Sequence, residues 1–383
     1  MTLFDHSEFR VPPEGAERLD LLFDAFTKGV STHLGYPANI LYDYSDLHRF
    51  FGFTINNVGD PFEEGLYQIN THSFEREVIT FFADLYHAPA GSYLGHVTTG
   101  GTDSNMYALY LAREMLPDGV VYYSEHTHYS IPKTLRFMGF PSTMIKSKKN
   151  GEIDYEDLEK EILRSGKPPI IVATIGTPMT GAVDQPEKII EILHRNGIGE
   201  FYIHCDAALG GMILPFIEGA TIFDFRLPIG SISVSGHKMI GSPIPCGIVI
   251  ARKEHIERVG RDIEMIGAPD TTLYGSRNGH SCLFMWYAIQ RFGTKGFQRM
   301  IDGCLEVRDY TLERLKEISW SAHSEKYSVT VVIKRPSDHL VKKWQLAIQG
   351  TSAHIVVMPN ISKKLIDGFV EDLQKESAEP LGS

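Results

Sequence analysis

Between about residues 75 and 252, short apolar, β-rich runs alternate with stretches in which apolar residues recur every three or four positions. The runs cover residues 95–98, 120–124, 170–175, 201–205, 231–234 and 247–251. The helix-period stretches between them include 104–116, 155–164 and 186–196, each opened by turn or capping residues. Strand and helix in alternation predict an α/β layer fold around a largely parallel sheet. Ligands of such sheets sit beyond the carboxyl ends of the strands, so motifs at those ends carry most weight. After residue 300 the pattern predicts helix over 304–318, strand over 328–334, helix over 338–349, strand over 353–358 and helix over 362–375. These elements make a small α/β domain of their own. At the other end, residues 18–28 read as a helix leading into an irregular turn at Gly35-Tyr36-Pro37. The expected organisation is an N-terminal helical and irregular segment over 1–47, a large domain over 48–283, and a linking helix with a small C-terminal domain over 284–383.

Length and composition narrow the chemistry. A chain of 383 residues suits a large domain with a smaller companion, and 43% hydrophobic with 22% charged residues is the balance of a folded protein. The net charge of -11 disfavours nucleic acid and anionic membrane surfaces as partners, which moves the expectation to small-molecule chemistry. Cys205, Cys246, Cys282 and Cys304 form no C-x-x-C pair and no zinc spacing, as expected in a reducing compartment. Asp5, Glu8 and Arg10 precede Pro12-Pro13 without the basic-then-apolar order of a secretory leader. The longest apolar stretch, 239–251, is interrupted by Gly, Ser and Pro and is too short to span a bilayer. A cytoplasmic protein is expected.

Three motifs at strand ends carry the candidate chemistry. Thr98-Thr99-Gly100-Gly101-Thr102-Asp103-Ser104-Asn105 follows a strand and opens a helix, offering backbone amides and hydroxyls at a positive helix end. A phosphate fits there, as does a plain capped turn. His204-Cys205-Asp206-Ala207-Ala208 ends an apolar run; a carboxylate there can keep a pyridine nitrogen protonated, with small residues after it where a flat ring lies close, or it can cap a loop. Ser233-Val234-Ser235-Gly236-His237-Lys238 sets a lysine at a strand end beside a histidine, the setting of an imine-forming amine, although most lysines are surface charge. His126 and His128 could be read as a metal pair with His204 and Asp206, but no third cluster with ligand spacing completes it, so no metal is expected.

The ordered set T-G-G-T, H-x-D-A-A and S-x-H-K closely resembles the group II pyridoxal-phosphate amino-acid decarboxylases, which have the fold-type I, aspartate-aminotransferase-like architecture. More narrowly, Gly35-Tyr36-Pro37, Ile55-Asn56-Asn57, Asn150-Gly151-Glu152-Ile153-Asp154 and Gly275-Ser276-Arg277-Asn278-Gly279-His280 resemble bacterial histidine decarboxylases and plant serine decarboxylases. The resemblance covers residues 30–375, and it implies pyridoxal 5'-phosphate as cofactor, held as an imine by Lys238. It further implies Asp206 on the ring nitrogen, His128 stacked on the ring, Ala208 packed beneath it, and Gly101, Thr102, Ser235 and His237 around the phosphate. Lys238, His128 and Asp206 are thereby the expected catalytic residues, and the reaction is loss of the α-carboxylate of an L-amino acid as carbon dioxide. Lys238 or a residue of a mobile loop returns the proton; Tyr274 lies in such a loop, where it can equally serve packing.

Substrate signals conflict. Met212-Ile213-Leu214-Pro215-Phe216 resembles the histidine enzymes, whereas Asp60-Pro61-Phe62, Trp344-Gln345-Leu346-Ala347 and the stretch from His354 to Asn360 resemble the serine enzymes. Histidine is placed first because the chain lacks the N-terminal extension of the plant proteins; serine or a third amino acid is the alternative. Tyr36, Asn56 and Asn57 are the expected substrate contacts, or else turn and core residues. Gly176-Thr177-Pro178-Met179-Thr180-Gly181 departs from the family's Gly-Thr-Thr, and Pro178 supplies neither hydroxyl nor N–H. Thr177 or Thr180 is the candidate substitute, the alternatives being an altered pocket or impaired activity. The resemblance also implies at least a homodimer, with the loop 275–280 reaching a partner's cofactor. Two rivals stand beside this reading: another fold-type I enzyme such as an aminotransferase or aldolase, and a non-catalytic cofactor-binding homologue.

Overall fold

The structure, a computed structural model, describes residues 11–41 and 43–378; residues 1–10, on which the leader was read, lie outside the described residues. Among the described residues seven strands form the central sheet: β1 (Tyr93–Thr98), β2 (Val120–Ser124), β3 (Ser142–Ile145), β4 (Pro169–Thr174), β5 (Tyr202–Asp206), β6 (Ser231–Ser235) and β7 (Gly247–Arg252). Their spatial order is β1-β7-β6-β5-β4-β2-β3. β7 runs antiparallel to both neighbours, while the remaining pairs are parallel, so the carboxyl ends of all the other strands meet at one edge. This is the expected α/β architecture, with one addition: the edge strand β3 has an exposed, mixed pattern, lacking the apolar run that marks the buried strands.

Strands covered on both faces read as continuous apolar runs, and their period of two assigns each side chain to a face. In β4, Ile171 and Ala173 join the core made with α2 (His72–Leu85) and α8 (Gly279–Glu317). Ile170 and Val172 face α3 (Gly101–Met115) and α4 (Ser130–Met138). β5 alternates in the same way, so Ile203 and Cys205 enter the first core while Tyr202, His204 and Asp206 turn to the α3 side. A buried polar set therefore faces α3 by register alone. α5 (Tyr155–Ser165) begins where the Asp154 carboxylate accepts from the amides of Glu156 and Asp157, at 3.0 and 3.1 Å.

A second, antiparallel sheet holds β8 (Ala322–His323), β9 (Thr330–Lys334), β10 (Ala347–Gln349) and β11 (Ser352–Val356) in the order β8-β9-β11-β10. The helix expected over 338–349 is corrected here: α9 (Asp338–Lys343) ends early, and the chain turns into β10. Trp344 leaves the helix because its indole is buried, stacking edge-on against Phe369 and donating to Asp372 Oδ2 at 2.9 Å. Gln345 follows in the left-handed region at φ 50°, held by its amide donating to Gly29 O at 2.6 Å. Helical periodicity persisted through this segment because the same apolar residues serve turn and strand. The expected helix over 304–318 is the last part of α8, which starts at Gly279 under an Asn278 cap and kinks at Gly293, where φ is 53°.

Candidate active site

Lys238 sits just beyond β6. The turn that displays it is tight: Gly236 N–H donates to Cys246 O at 2.9 Å, and a Cβ on Gly236 would lie 2.6 Å from both Cys246 Sγ and Met285 Sδ, so only glycine passes. His237 Nδ1 bonds Cys246 O at 2.9 Å and braces the same turn. Burial pulls the Lys238 ammonium below its ordinary pKa while the Asp206 carboxylate opposes that shift. Among the described residues its amine has no hydrogen-bond or ion-pair partner.

Asp206 closes β5 and lies in register with Thr174 of β4 and Ser233 of β6. Its Oδ1 accepts from Ala208 N–H at 3.2 Å and its Oδ2 from Asn105 Nδ2 at 2.8 Å. Asn105 closes the 98–105 motif, which assigned it no role of its own. Its signal was present: it lies four residues after Gly101, hence on the same helix face as the candidate phosphate site. His128 follows β2, with Nδ1 bonded to Ser130 Oγ at 2.8 Å and its ring 4.3 Å from Tyr129. Burial lowers its pKa, the Asp206 carboxylate raises it and the Lys238 charge lowers it, which places all three groups in one electrostatic neighbourhood.

The residues at this edge fit pyridoxal phosphate, most directly at the phosphate end. Gly101 opens α3 with the first-turn amides unspent, and a Cβ there would come within 2.8 Å of Ser235 Oγ and 3.8 Å of Ala208 Cβ, so bare backbone faces the site. Thr102 follows Gly101 in that first turn and the Ser235 hydroxyl lies beside it, while Asp103 turns back to accept from Thr99 N at 2.8 Å. A phosphate would rest on Gly101, Thr102, Ser235 and His237, a ring between His128 and Ala208, and a ring nitrogen on Asp206.

The expected substrate contacts divide. Asn57 is buried, giving Nδ2 to Glu75 Oε2 at 2.6 Å and taking Thr71 N–H at 2.9 Å, so its amide is committed to the scaffold. Asn56 bonds Ser276 Oγ and the Arg277 amide, pinning the 275–280 loop. Tyr36 is exposed and stacks 5.9 Å from His33. Its segment crosses the turn after Lys238, because Asn39 donates to Met239 O at 2.9 Å and Tyr44 to Gly241 O at 3.2 Å. Thr177 and Thr180, the candidate substitutes at the Pro178 loop, bond each other at 2.7 Å, and Pro178 stands exposed at its tip. Both ring nitrogens of His204 are engaged inside the fold, so it does not join His126 and His128 in a ligand set. Among the described residues no group of three or more His, Cys, Asp or Glu side chains could hold a metal.

The 275–280 loop is held inward. Arg277 is buried, paired with Glu75 Oε1, and donates to Gly59 O at 2.9 Å and Val97 O at 3.3 Å. Replacing Glu75 by alanine strands this cation, so a loss of about 3–5 kcal/mol is expected. Urea unfolding with the cofactor-free protein checks it; a change below about 1 kcal/mol would show the pair to be dispensable.

Residues 70–332 match the model of the pyridoxal-dependent decarboxylase conserved domain. The chain is 43% identical to a histidine decarboxylase of Acinetobacter baumannii over 97% of this chain and 99% of that one. It is 42% identical to serine decarboxylase 1 of Oryza sativa subsp. japonica, covering 90% of this chain and 72% of the rice protein. Among solved structures, L-methionine decarboxylase from Streptomyces sp. 590 superposes with a TM-score of 0.86 at 26% identity, over 97% of this chain and 98% of the other. These matches, at a site that already fits the cofactor, establish that the chain belongs to the pyridoxal-dependent decarboxylase family.

Proposed function

We propose that the protein releases carbon dioxide from L-histidine to give histamine, with Lys238, Asp206 and His128 as its catalytic residues. The observation that carries the site assignment is the unpartnered Lys238 amine beside the Asp206 carboxylate at the shared strand edge. Lys238 would hold the cofactor through its amine and, when free of it, would serve as a proton carrier in the site. Asp206 would keep the ring nitrogen protonated, and His128 would lie against the ring. The bound cofactor supplies an electron sink for the pair left when carbon dioxide departs.

Histidine stands first because relatives 43% identical along nearly the whole chain carry that activity; serine, giving ethanolamine, stands second. Tyr36 remains the candidate contact to the substrate side chain, since its segment crosses the Lys238 turn. Incubating the holoenzyme with a panel of histidine, serine, methionine, tyrosine, leucine and aspartate, with amines read by mass spectrometry, is expected to give the highest kcat/KM for histidine and little product from tyrosine or leucine. A highest value for leucine or tyrosine would overturn the polar-substrate reading.

The same reading makes the working unit at least a homodimer in the cytoplasm. All four cysteines are free and buried, which suits a reducing compartment, and among the described residues no helix is long and apolar enough to cross a membrane. α1 (Pro13–Val30) buries none of its residues, leaving Phe23 71% and Phe26 65% exposed beside Leu19 and Leu22. An apolar helix face of that kind calls for a second copy. Phe23→Glu with Phe26→Glu is expected to shift the mass in light scattering towards a monomer and to lower turnover; an unchanged oligomer would remove α1 from the interface.

A further inference from the structure

Behind Asp206 lies a buried polar chain that the catalytic assignment does not use. Tyr202, His204 and Asp206 share one face of β5, and Ser231 and Ser233 are their neighbours on β6 by register. Asn105 of α3 sits over them, and all six residues are buried. Tyr202 donates its phenol proton to Ser231 Oγ at 3.0 Å. Ser231 Oγ and His204 Nδ1 are 2.9 Å apart, and His204 Nε2 lies 3.0 Å from Asn105 Oδ1. Ser233 Oγ donates to that same oxygen at 2.5 Å, and Asn105 Nδ2 donates to Asp206 Oδ2 at 2.8 Å.

The proton positions follow from the carboxylate end. An ionised Asp206 only accepts, so Asn105 must turn its NH2 to Asp206 and its oxygen to His204 and Ser233. That oxygen receives from both, so the His204 proton sits on Nε2. Burial pushes the His204 pKa down to about 4 against the opposing pull of the Asp206 carboxylate and the Ser231 backbone, leaving the ring neutral; with its proton on Nε2, Nδ1 accepts from the Ser231 hydroxyl. Every bond then points one way, Tyr202 to Ser231 to His204 to Asn105 to Asp206. A neutral Asp206 would carry its proton on Oδ1 and still accept from Asn105 at Oδ2, but a hydrogen bond to an ionised oxygen is stronger than one to a neutral acid, so the amide held in this orientation stabilises the carboxylate more. Bonds in series polarise one another, so the forward arrangement favours the carboxylate.

We propose that Asn105 is a positioning residue for the reaction, and that His204 acts through it to keep Asp206 ionised and aimed at the cofactor's ring nitrogen. This rests on the pairing of Asp206 with that nitrogen. Neither Asn105 nor His204 touches the reacting atoms; they govern which side of the Asp206–ring contact carries the charge.

The test uses holoenzyme loaded with pyridoxal phosphate labelled with 15N in the ring, reading the ring nitrogen by NMR alongside kcat and KM. In the wild type the nitrogen should be protonated. His204→Leu and Asn105→Ala should each move the signal towards the neutral position and lower kcat about 10–100-fold with KM little changed. His204→Gln, which returns a donor near the Nε2 position, should restore the signal. Asp206→Asn is the reference: if it gives a neutral nitrogen while both relay variants keep the wild-type signal, the relay is refuted and the pairing stands. If Asp206→Asn itself leaves the signal unchanged, the pairing is refuted. Should the relay variants not fold, 15N-histidine spectra of the wild-type holoenzyme decide the matter: a neutral His204 protonated on Nε2 supports the relay, and the Nδ1 tautomer overturns it.

Discussion

Lys238→Ala is expected to leave the protein folded and to lower kcat/KM by about 10⁴-fold or more, the scale of losing a covalent nucleophile. The two halves of that expectation have separate causes. The Lys238 amine makes no hydrogen bond or ion pair among the described residues, so its removal strands no partner. Stability should therefore change by no more than about 1 kcal/mol. Its chemistry, in contrast, has no substitute. His237 is tied to Cys246 O and His128 to Ser130, so neither neighbouring side chain offers an amine to bind the cofactor or to exchange with the substrate. Circular dichroism and single-turnover carbon dioxide release measure the two halves. A variant that folds and still releases carbon dioxide at a rate within tenfold of the wild type would place the attachment elsewhere.

Asp206→Asn is expected to lower kcat by about 10²–10³-fold while cofactor affinity falls far less, the range seen when one preorganised electrostatic partner is lost. Asn105 explains why an isosteric change has so large an effect. Its NH2 already faces the outer oxygen of Asp206 at 2.8 Å. A new amide must offer its own oxygen to that NH2, which turns its own NH2 towards the ring nitrogen. An N–H donor there stabilises the unprotonated pyridine and so weakens the electron sink. Cofactor absorbance after dialysis and initial rates of amine formation separate affinity from catalysis. Near-normal turnover would contradict the role given to Asp206.

Much of this site was legible along the chain because its parts are local. Asp206, Ser235 and Lys238 each end or follow an apolar strand, and Gly101 opens a helix after one, so motif and element order together placed them at one sheet edge. What escaped the sequence depends on contacts between distant segments. Asn105 reads as one more polar helix residue until α3 is laid over β5, a separation of about a hundred positions. Arg277 belongs to the 275–280 motif, whose sequence does not show that the side chain is buried by pairing with Glu75, two hundred residues away. Asn57 looked available for substrate because its burial comes from α2 and α8, which no local pattern brings together. Trp344 and Gln345 ended a helix that periodicity would have continued, because a tertiary partner on α10 (Lys363–Ala378) claims the indole.

The attachment of pyridoxal phosphate to Lys238 is the claim on which the rest depends. Borohydride reduction of the holoenzyme, followed by proteolysis and mass mapping of the labelled peptide, tests it most directly. The expected result is a single phosphopyridoxyl label on Lys238. Label on any other lysine, or none with cofactor present, would contradict the assignment of the site.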